Sequence, residues 1–286
     1  MKTLCVDLGG SRVKLALMTA DSHPQPDVFS VDSHAPLAQT LSLVAQHAAA
    51  WGQPDAVSIA LPCVVCRGTV IACNGKYTDA VGFDWVRWSQ KTFGAPVFLM
   101  NDAAAALLGE MRCGNARGFA NAALIALGTG LGFACCLDGE VQYAPTGSPR
   151  ITVYKKPFRD GILEDYVAKR GFLRLYGEIT GQDTGPSLTV ADLGRMAGEG
   201  NPAARETFAT IGRMLGEALR ELIRKERIEC LLLGGQISRS YAYLEPGLRK
   251  GLYGTACLRS IAPAAHIGHA AFYGLLARLD GLRPET

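Results

Sequence analysis

Charge is scarce in this 286-residue chain. Asp, Glu, Lys and Arg make up 19% of it, and the formal net charge is only +3. So small and evenly spread a balance leaves no basic footprint, and nucleic acid is excluded as a partner. No basic-then-apolar leader precedes the first strand pattern at Leu4, so the expectation is a cytoplasmic chain without a secretion signal. Long apolar runs are missing too. The longest, residues 122–137, is broken by Gly128, Gly130 and Gly132, and no membrane contact is expected. Of nine cysteines, Cys63 and Cys66 form a lone CxxC without a second Cys or His pair at zinc-finger spacing. An odd number of thiols with no secretory signal reads as reduced and buried. His266 and His269 read as packed or surface side chains and not as ligands. With 48% hydrophobic residues, there is material for one large core or two ordinary ones.

What is present is glycine set between short apolar runs. Leu4–Val6 and Val13–Leu17 flank Gly9-Gly10-Ser11, a β-hairpin pattern. Lacking side chains, Gly9 and Gly10 let a bulky anion reach their N–H groups, which with the Ser11 hydroxyl can face phosphate oxygens. Asp7 closes the first run and is placed to hold Mg²⁺ through water. Taken alone, the stretch is equally a tight hairpin with an acidic tip. A second strand–turn–strand pattern, Ala122–Gly139, carries Gly128-Thr129-Gly130 at its turn. Two such hairpins, each opening a half of the chain, point to an internal duplication whose halves face one nucleotide. Neither is a dinucleotide fingerprint, since a strand-like run follows Gly132, and no Gly-Lys-Ser/Thr of a P-loop follows either. A third element ends a buried strand at Gly234-Gly235, after a long amphipathic helix over Pro202–Arg227. Glycines there admit a flat base and ribose close to the backbone.

Strand patterns at Val28–Val31, Ala56–Leu61 and Pro96–Met100 alternate with helical ones at Leu37–Trp51, Asp84–Phe93 and Asn101–Glu110, while Arg67–Val81 reads as strand and turn. This is an α/β layer structure. Asp102 stands where the 96–100 strand passes into a helix, at the strand's carboxyl end, where open α/β sheets place ligands. There it can take a proton from a substrate hydroxyl during phosphoryl transfer, a reaction whose loose transition state leaves much of the rate to positioning. An ordinary helix cap is the plain alternative for this residue by itself.

The Asp7–Leu17 hairpin, Asn101-Asp102-Ala103, Leu127–Gly132 and Leu233-Gly234-Gly235 occur in the order seen in sugar kinases of the actin/hexokinase/Hsp70 superfamily. More closely, the chain resembles the ROK (repressor, open reading frame, kinase) family, and Gly268–Ala271 resembles that family's C-terminal pattern. The resemblance implies two lobes with a ribonuclease-H-like core, closing on ATP·Mg²⁺ and a sugar in the cleft. It implies lobes at 1–112, with 269–286 packing back on the first, and at 113–268. It makes Asp102 the general base and has Asn74 and Asn101 bind sugar hydroxyls. Gly10, Thr129 and Gly130 would touch ATP phosphates, and Gly234 and Gly235 would line the adenosine pocket. A homodimer is implied in the same way.

The chain departs from that pattern between Gly147 and Glu164. The family's Gly-Glu-x-Gly-His motif has lost its Glu and His here, and no cysteine lies between Cys136 and Cys230, so no structural zinc is expected. Glu164 fits the family's last sugar-binding Glu, with a solvated helix-start Glu as the alternative. Arg150, Lys155, Lys156 and Arg159 stand where the zinc loop would be, either as a solvated face or as a surface for a negatively charged substrate. The leading expectation is an ATP-dependent kinase of a sugar hydroxyl. A nucleotide-binding protein with lost or altered sugar chemistry and a kinase of an acidic small molecule are the alternatives. The regulator members carry an added DNA-binding domain, for which no helix-turn-helix is expected here.

Overall fold

Two five-stranded sheets built to one plan organise the chain, and each has its own core. The computed structural model describes residues 1–280 except 11, 22, 33, 74, 75, 146–148, 183, 184 and 186. It groups Met1–Cys113, Tyr143–Arg150 and the stretch from His269 on into a first unit, and Gly114–Gln142 with Ile151–Gly268 into a second.

In the first unit the glycine turn joins β1 (Thr3–Leu8) to β2 (Arg12–Met18), and β3 (Asp27–Ser30) follows. Helix α1 (Leu37–Ala48) leads to β4 (Ala56–Leu61), and a small hairpin follows, made of β5 (Cys63–Cys66) and β6 (Thr69–Cys73). Helix α2 (Trp85–Phe93), β7 (Val97–Asn101) and α3 (Asp102–Cys113) complete the run. The sheet order is β3-β2-β1-β4-β7: an antiparallel hairpin on one side, parallel strands on the other. β1 and β4 are buried on both faces, which is why they read as unbroken apolar runs. Asp84 caps α2 by accepting from the N–H of Arg87 at 2.9 Å.

The second unit repeats the plan with β8 (Ala122–Leu127), β9 (Leu131–Leu137) and β10 (Glu140–Val141). A short pair, β11 (Pro157–Phe158) and β12 (Gly161–Ile162), precedes α4 (Leu163–Val167), α5 (Lys169–Thr180), α6 (Val190–Gly198) and α7 (Pro202–Lys225). β13 (Cys230–Gly234), α8 (Tyr241–Gly251) and β14 (Ser260–Pro263) follow, and the order is β10-β9-β8-β13-β14. Strand by strand, the parallel and antiparallel pairings match the first sheet. The start of α7 is set by Asn201, which accepts from the Ala204 N–H, with Pro202 at the first helical position. The last helix, α9 (Ala270–Asp280), belongs to the first unit and crosses α3. That crossing is made backbone to backbone: a Cβ at Gly109 would fall inside the Ala270 carbonyl, and one at Gly274 inside the Ala105 carbonyl.

The expectation that all cysteines are free thiols is corrected here. Cys63 on β5 lies directly opposite Cys73 on β6, and the two are joined as a disulfide, leaving seven free cysteines. Cys66, the other cysteine of the CxxC, is paired with Thr69 by the hairpin register and remains a free thiol. The β5 strand itself is missed by the sequence reading, since Pro62 ends the apolar run before it.

Two outcomes follow from this packing. Gly274→Ala should lower unfolding stability by about 2 kcal/mol or more, because neither backbone can give way; urea titration reads this, and a change within about 0.5 kcal/mol would mean the helices part easily. Alkylation of the unfolded, unreduced chain should label seven thiols, and labelling of all nine would reject the Cys63–Cys73 pairing.

Candidate active site

The first unit gathers acidic groups at the carboxyl edge of its sheet. Asp7 pairs in register with Ala60 on β4, and Ala60 pairs with Met100 on β7, two residues before Asp102. Asp7 and Asp102 thus lie at the same edge, two strand spacings apart or roughly 10 Å along the sheet. The antiparallel register puts Lys14 opposite Asp7, and its ammonium donates to the carboxylate at 2.8 Å with both side chains mostly shielded. Asp102 begins α3, and its carboxylate accepts from the N–H of Ala103 at 2.7 Å. Burial, then the negative charge of Asp7, push its pKa up to about 6, while the Ala103 N–H and Lys14 pull the other way. A carboxylate held there is ionised at neutral pH yet close enough to it to take a proton, as a general base requires.

Asn101 does the capping that the sequence left open between it and Asp102. Its amide oxygen accepts from the Ala104 N–H at 3.2 Å, and its amide nitrogen donates to the Cys63 carbonyl at 3.3 Å. One donor hydrogen and one lone pair remain for a ligand. At the β1–β2 turn a Cβ on Gly9 would sit 2.5 Å from the Arg12 carbonyl oxygen, so glycine is needed there for packing. Tyr77, fully buried, donates its hydroxyl to the Gly9 carbonyl at 2.9 Å. Gly10 differs: a Cβ there would meet nothing within 4 Å. Ser11 and Asn74 lie outside the described residues.

The second unit holds the β8–β9 turn. The N–H of Gly128 donates to the Gly130 carbonyl at 3.1 Å, Thr129 is exposed, and Gly128, like Gly10, has open space where a Cβ would stand. Glu164 reaches this turn: its carboxylate accepts from the Leu131 N–H at 2.8 Å. Gly234 and Gly235 end β13 against the neighbouring strand. A Cβ on Gly234 would touch the Leu124 side chain at 3.4 Å, and one on Gly235, which has a φ of +79°, would fall inside the Leu127 carbonyl. Their smallness therefore fits strand β13 to β8. Of the basic cluster, Lys156 donates to the Ala218 carbonyl, Lys155 lies over Tyr154, and Arg159 lies over Phe158 and Tyr166.

Gly10 and Gly128 are glycines whose side-chain space is open, which suits a phosphate chain lying against backbone N–H groups. Asp7 offers one carboxylate, enough for Mg²⁺ when phosphate oxygens and water supply the rest of the shell. Among the described residues, no three His, Cys, Asp or Glu cluster closely enough to hold an ion by themselves. Lys14 and Tyr77 escaped the sequence reading. Lys14 could have been found by counting back along the hairpin to the position facing Asp7; Tyr77 carries no local signal.

The comparisons with known proteins agree in direction. The model of the ROK family matches residues 3–150. An N-acetylgalactosamine kinase of Shewanella sp. strain ANA-3 is 28% identical over 82% of this chain and 81% of its own length. An N-acetylmannosamine kinase of Escherichia fergusonii is 23% identical over 85% of this chain and 86% of its own. Among solved structures, a ROK family glucokinase from Streptomyces griseus, in complex with glucose and AMPPNP, superposes with a TM-score of 0.81. It shares 20% identity over 97% of this chain and 99% of that one. This likeness establishes the fold, an α/β chain of the two-lobed actin/hexokinase type.

Asp102 also bears on stability. Its folded pKa stands above the unfolded value of 3.8, so the native state binds the extra proton and loses stability as pH rises from about 4 to about 6. Asp102→Asn, which has no such charge to bury, should therefore gain roughly 1–3 kcal/mol over the parent above pH 7 and show little gain at pH 4. Thermal melts at the two pH values read this, and a gain larger at pH 4 would reverse the assignment.

Proposed function

This chain belongs to the ROK family, and we propose that it is an ATP-dependent kinase that phosphorylates a hydroxyl of a sugar, with Asp102 as the general base. The observation that carries the proposal is the Asp102 carboxylate, at the carboxyl end of a parallel strand and with its pKa pushed up to about 6. In this reading Asp102 accepts the hydroxyl proton as the phosphoryl group transfers. The loose transition state asks little more of a base, and the rest of the rate comes from alignment. Backbone N–H groups at Gly10 in one unit and at Thr129 and Gly130 in the other hold phosphate oxygens, where Gly10 and Gly128 put no side chain in the way. Mg²⁺, held by Asp7 through water, would offset phosphate charge. Lys14, paired with Asp7, makes a small opposing contribution that lowers the Asp102 pKa.

Asn101 offers its remaining amide donor and lone pair to the sugar, and Glu164 offers a carboxylate oxygen. N-acetylhexosamines and glucose are the acceptor classes named for the relatives, and this chain's acceptor is taken from among them. An acidic acceptor rested on the cluster around Lys156, and three of those cations are already engaged within the second unit. By likeness to the family the protein works as a cytoplasmic homodimer. The Cys63–Cys73 pair is the feature that weighs against a reducing compartment.

The test is a panel of glucose, N-acetylmannosamine and N-acetylgalactosamine with ATP and Mg²⁺, read by ADP release. Turnover of at least one sugar is expected, with an acid limb near pH 6. Asp102→Asn should lower kcat by about 10²–10⁴-fold while AMPPNP affinity stays nearly unchanged. Silence across the panel with tight ATP binding would make the chain a nucleotide-binding protein; undiminished turnover by the variant would remove Asp102 from the mechanism.

A further inference from the structure

Sequence reading assigns Glu164 and the Gly128–Gly130 turn to two different ligands. The second unit joins them. The Leu131 N–H, at the far end of the turn, donates to Glu164 Oε2 at 2.8 Å, and the Lys169 N–H donates to the Gly128 carbonyl at its near end at 3.0 Å. Glu164 lies in the first turn of α4 and Lys169 opens α5, so two successive helix starts grip the turn from both sides. The approach is close: a Cβ on Gly130 would stand 2.8 Å from the same Oε2 and would displace the carboxylate. Glu164 is itself fixed by backbone bonds, its N–H to the Tyr154 carbonyl at 3.2 Å and its carbonyl to the Ala168 N–H at 3.1 Å. Among the described residues nothing donates to Oε1.

We propose that Glu164 is a positioning residue that couples the two substrates: one carboxylate oxygen holds the phosphate-binding turn while the other takes a hydroxyl of the acceptor. This rests on the kinase reading for the identity of both ligands. A carboxylate accepts at both oxygens, and its bonds to N–H and O–H donors are charge-assisted and short. A hydroxyl arriving at Oε1 draws charge away from Oε2 and fixes the carboxylate plane, so the Gly128–Leu131 backbone senses it. The coupling is reciprocal: whatever the acceptor does to nucleotide affinity, the nucleotide does to acceptor affinity. With the family's Glu and His absent from the Gly147 region, this carboxylate is the anionic acceptor contact left in the sequence-level assignment.

AMPPNP affinity by calorimetry tests this on the full chain without any sugar. Glu164→Ala and Gly130→Ala should each weaken AMPPNP by about 5–20-fold, the range of a lost positional contact. Glu164→Gln keeps an oxygen for the Leu131 N–H and should stay within about threefold of the parent. The Gly130→Ala/Glu164→Ala double variant should bind no worse than the weaker single one, because alanine at 164 removes the atom that the new Cβ meets. Saturating glucose, N-acetylmannosamine or N-acetylgalactosamine, whichever the parent phosphorylates, should shift parental AMPPNP affinity by about fivefold or more, and shift Glu164→Ala by less than about twofold. Equal AMPPNP affinity in parent and Glu164→Ala, or losses that multiply in the double variant, would overturn the coupling. A chain that phosphorylates a sugar while its AMPPNP affinity ignores position 164 keeps the kinase reading and loses this one. A chain that phosphorylates none of the sugars yet shows the AMPPNP pattern loses the kinase reading and keeps the grip on the turn.

Discussion

Lys14 faces Asp7 because the β1–β2 register places the two opposite each other, and they form an ion pair at 2.8 Å beside the Asp102 sheet edge. A slip of one residue would turn Lys14 to the opposite face of the sheet and leave Asp7 uncompensated. Asp102, one strand beyond the neighbour of Asp7, would then feel the full like charge, and its pKa would climb further above the about 6 that burial and Asp7 already produce. The register is itself held by apolar burial, since Val13, Leu15, Val6 and Leu8 are all fully covered in the first core. Packing thus decides charge placement, which adds to burial in setting how far the pKa of a carboxylate at this sheet edge is raised.

The repeated sheet order explains why glycine turns occur at corresponding places. In each unit the turn joins the first two strands, whose hairpin lies beside a parallel strand. The two turns are secured by different means. A buried tyrosine from after the β5–β6 hairpin holds the Gly9 carbonyl, whereas a carboxylate and a backbone N–H from two helix starts hold the Gly128–Leu131 backbone. In both cases the anchoring group comes from a later segment of the same unit. The repeated strand order therefore places a turn at the same point in each unit, while the anchoring groups differ.

Most of the framework was legible in the chain because its signals are local. The hairpin around Gly9-Gly10, the strand into Asn101-Asp102 and the Pro202 helix start are each written in neighbouring residues, and each was found within a residue or two. What escaped is what depends on register or on distant segments. Cys73 was not matched to Cys63 because the β5 strand after Pro62 went unseen, and the cysteines were read as reduced thiols. Asn101 and Asp102 were interchangeable as caps until the Ala104 N–H chose Asn101. Glu164 carried a substrate assignment from family resemblance, but its bond to Leu131, 33 residues away, has no sequence signature. Gly234 and Gly235 also have an internal use that the sequence does not announce, since β13 needs them to lie against Leu124 and Leu127.

The glycines themselves separate the internal requirement from the external one. Glycine weakens a fold by enlarging the freedom of the unfolded chain, so a buried use normally accounts for it. Gly9, Gly130 and Gly235 have one: the Arg12 carbonyl, the Glu164 carboxylate and the Leu127 carbonyl occupy the space of a side chain. Gly10 and Gly128 have none. Neither stands in the left-handed region, and a Cβ on either would meet no atom of the described residues within 4 Å. Alanine would fit both on internal grounds and would make the turns stiffer. Open space of this kind leaves room for a partner from outside the chain, and it is where the kinase reading puts phosphate. That both turns of the duplicated plan show the same unexplained smallness, next to neighbours whose smallness is fully explained, is the strongest internal argument that each unit contributes a surface for phosphate.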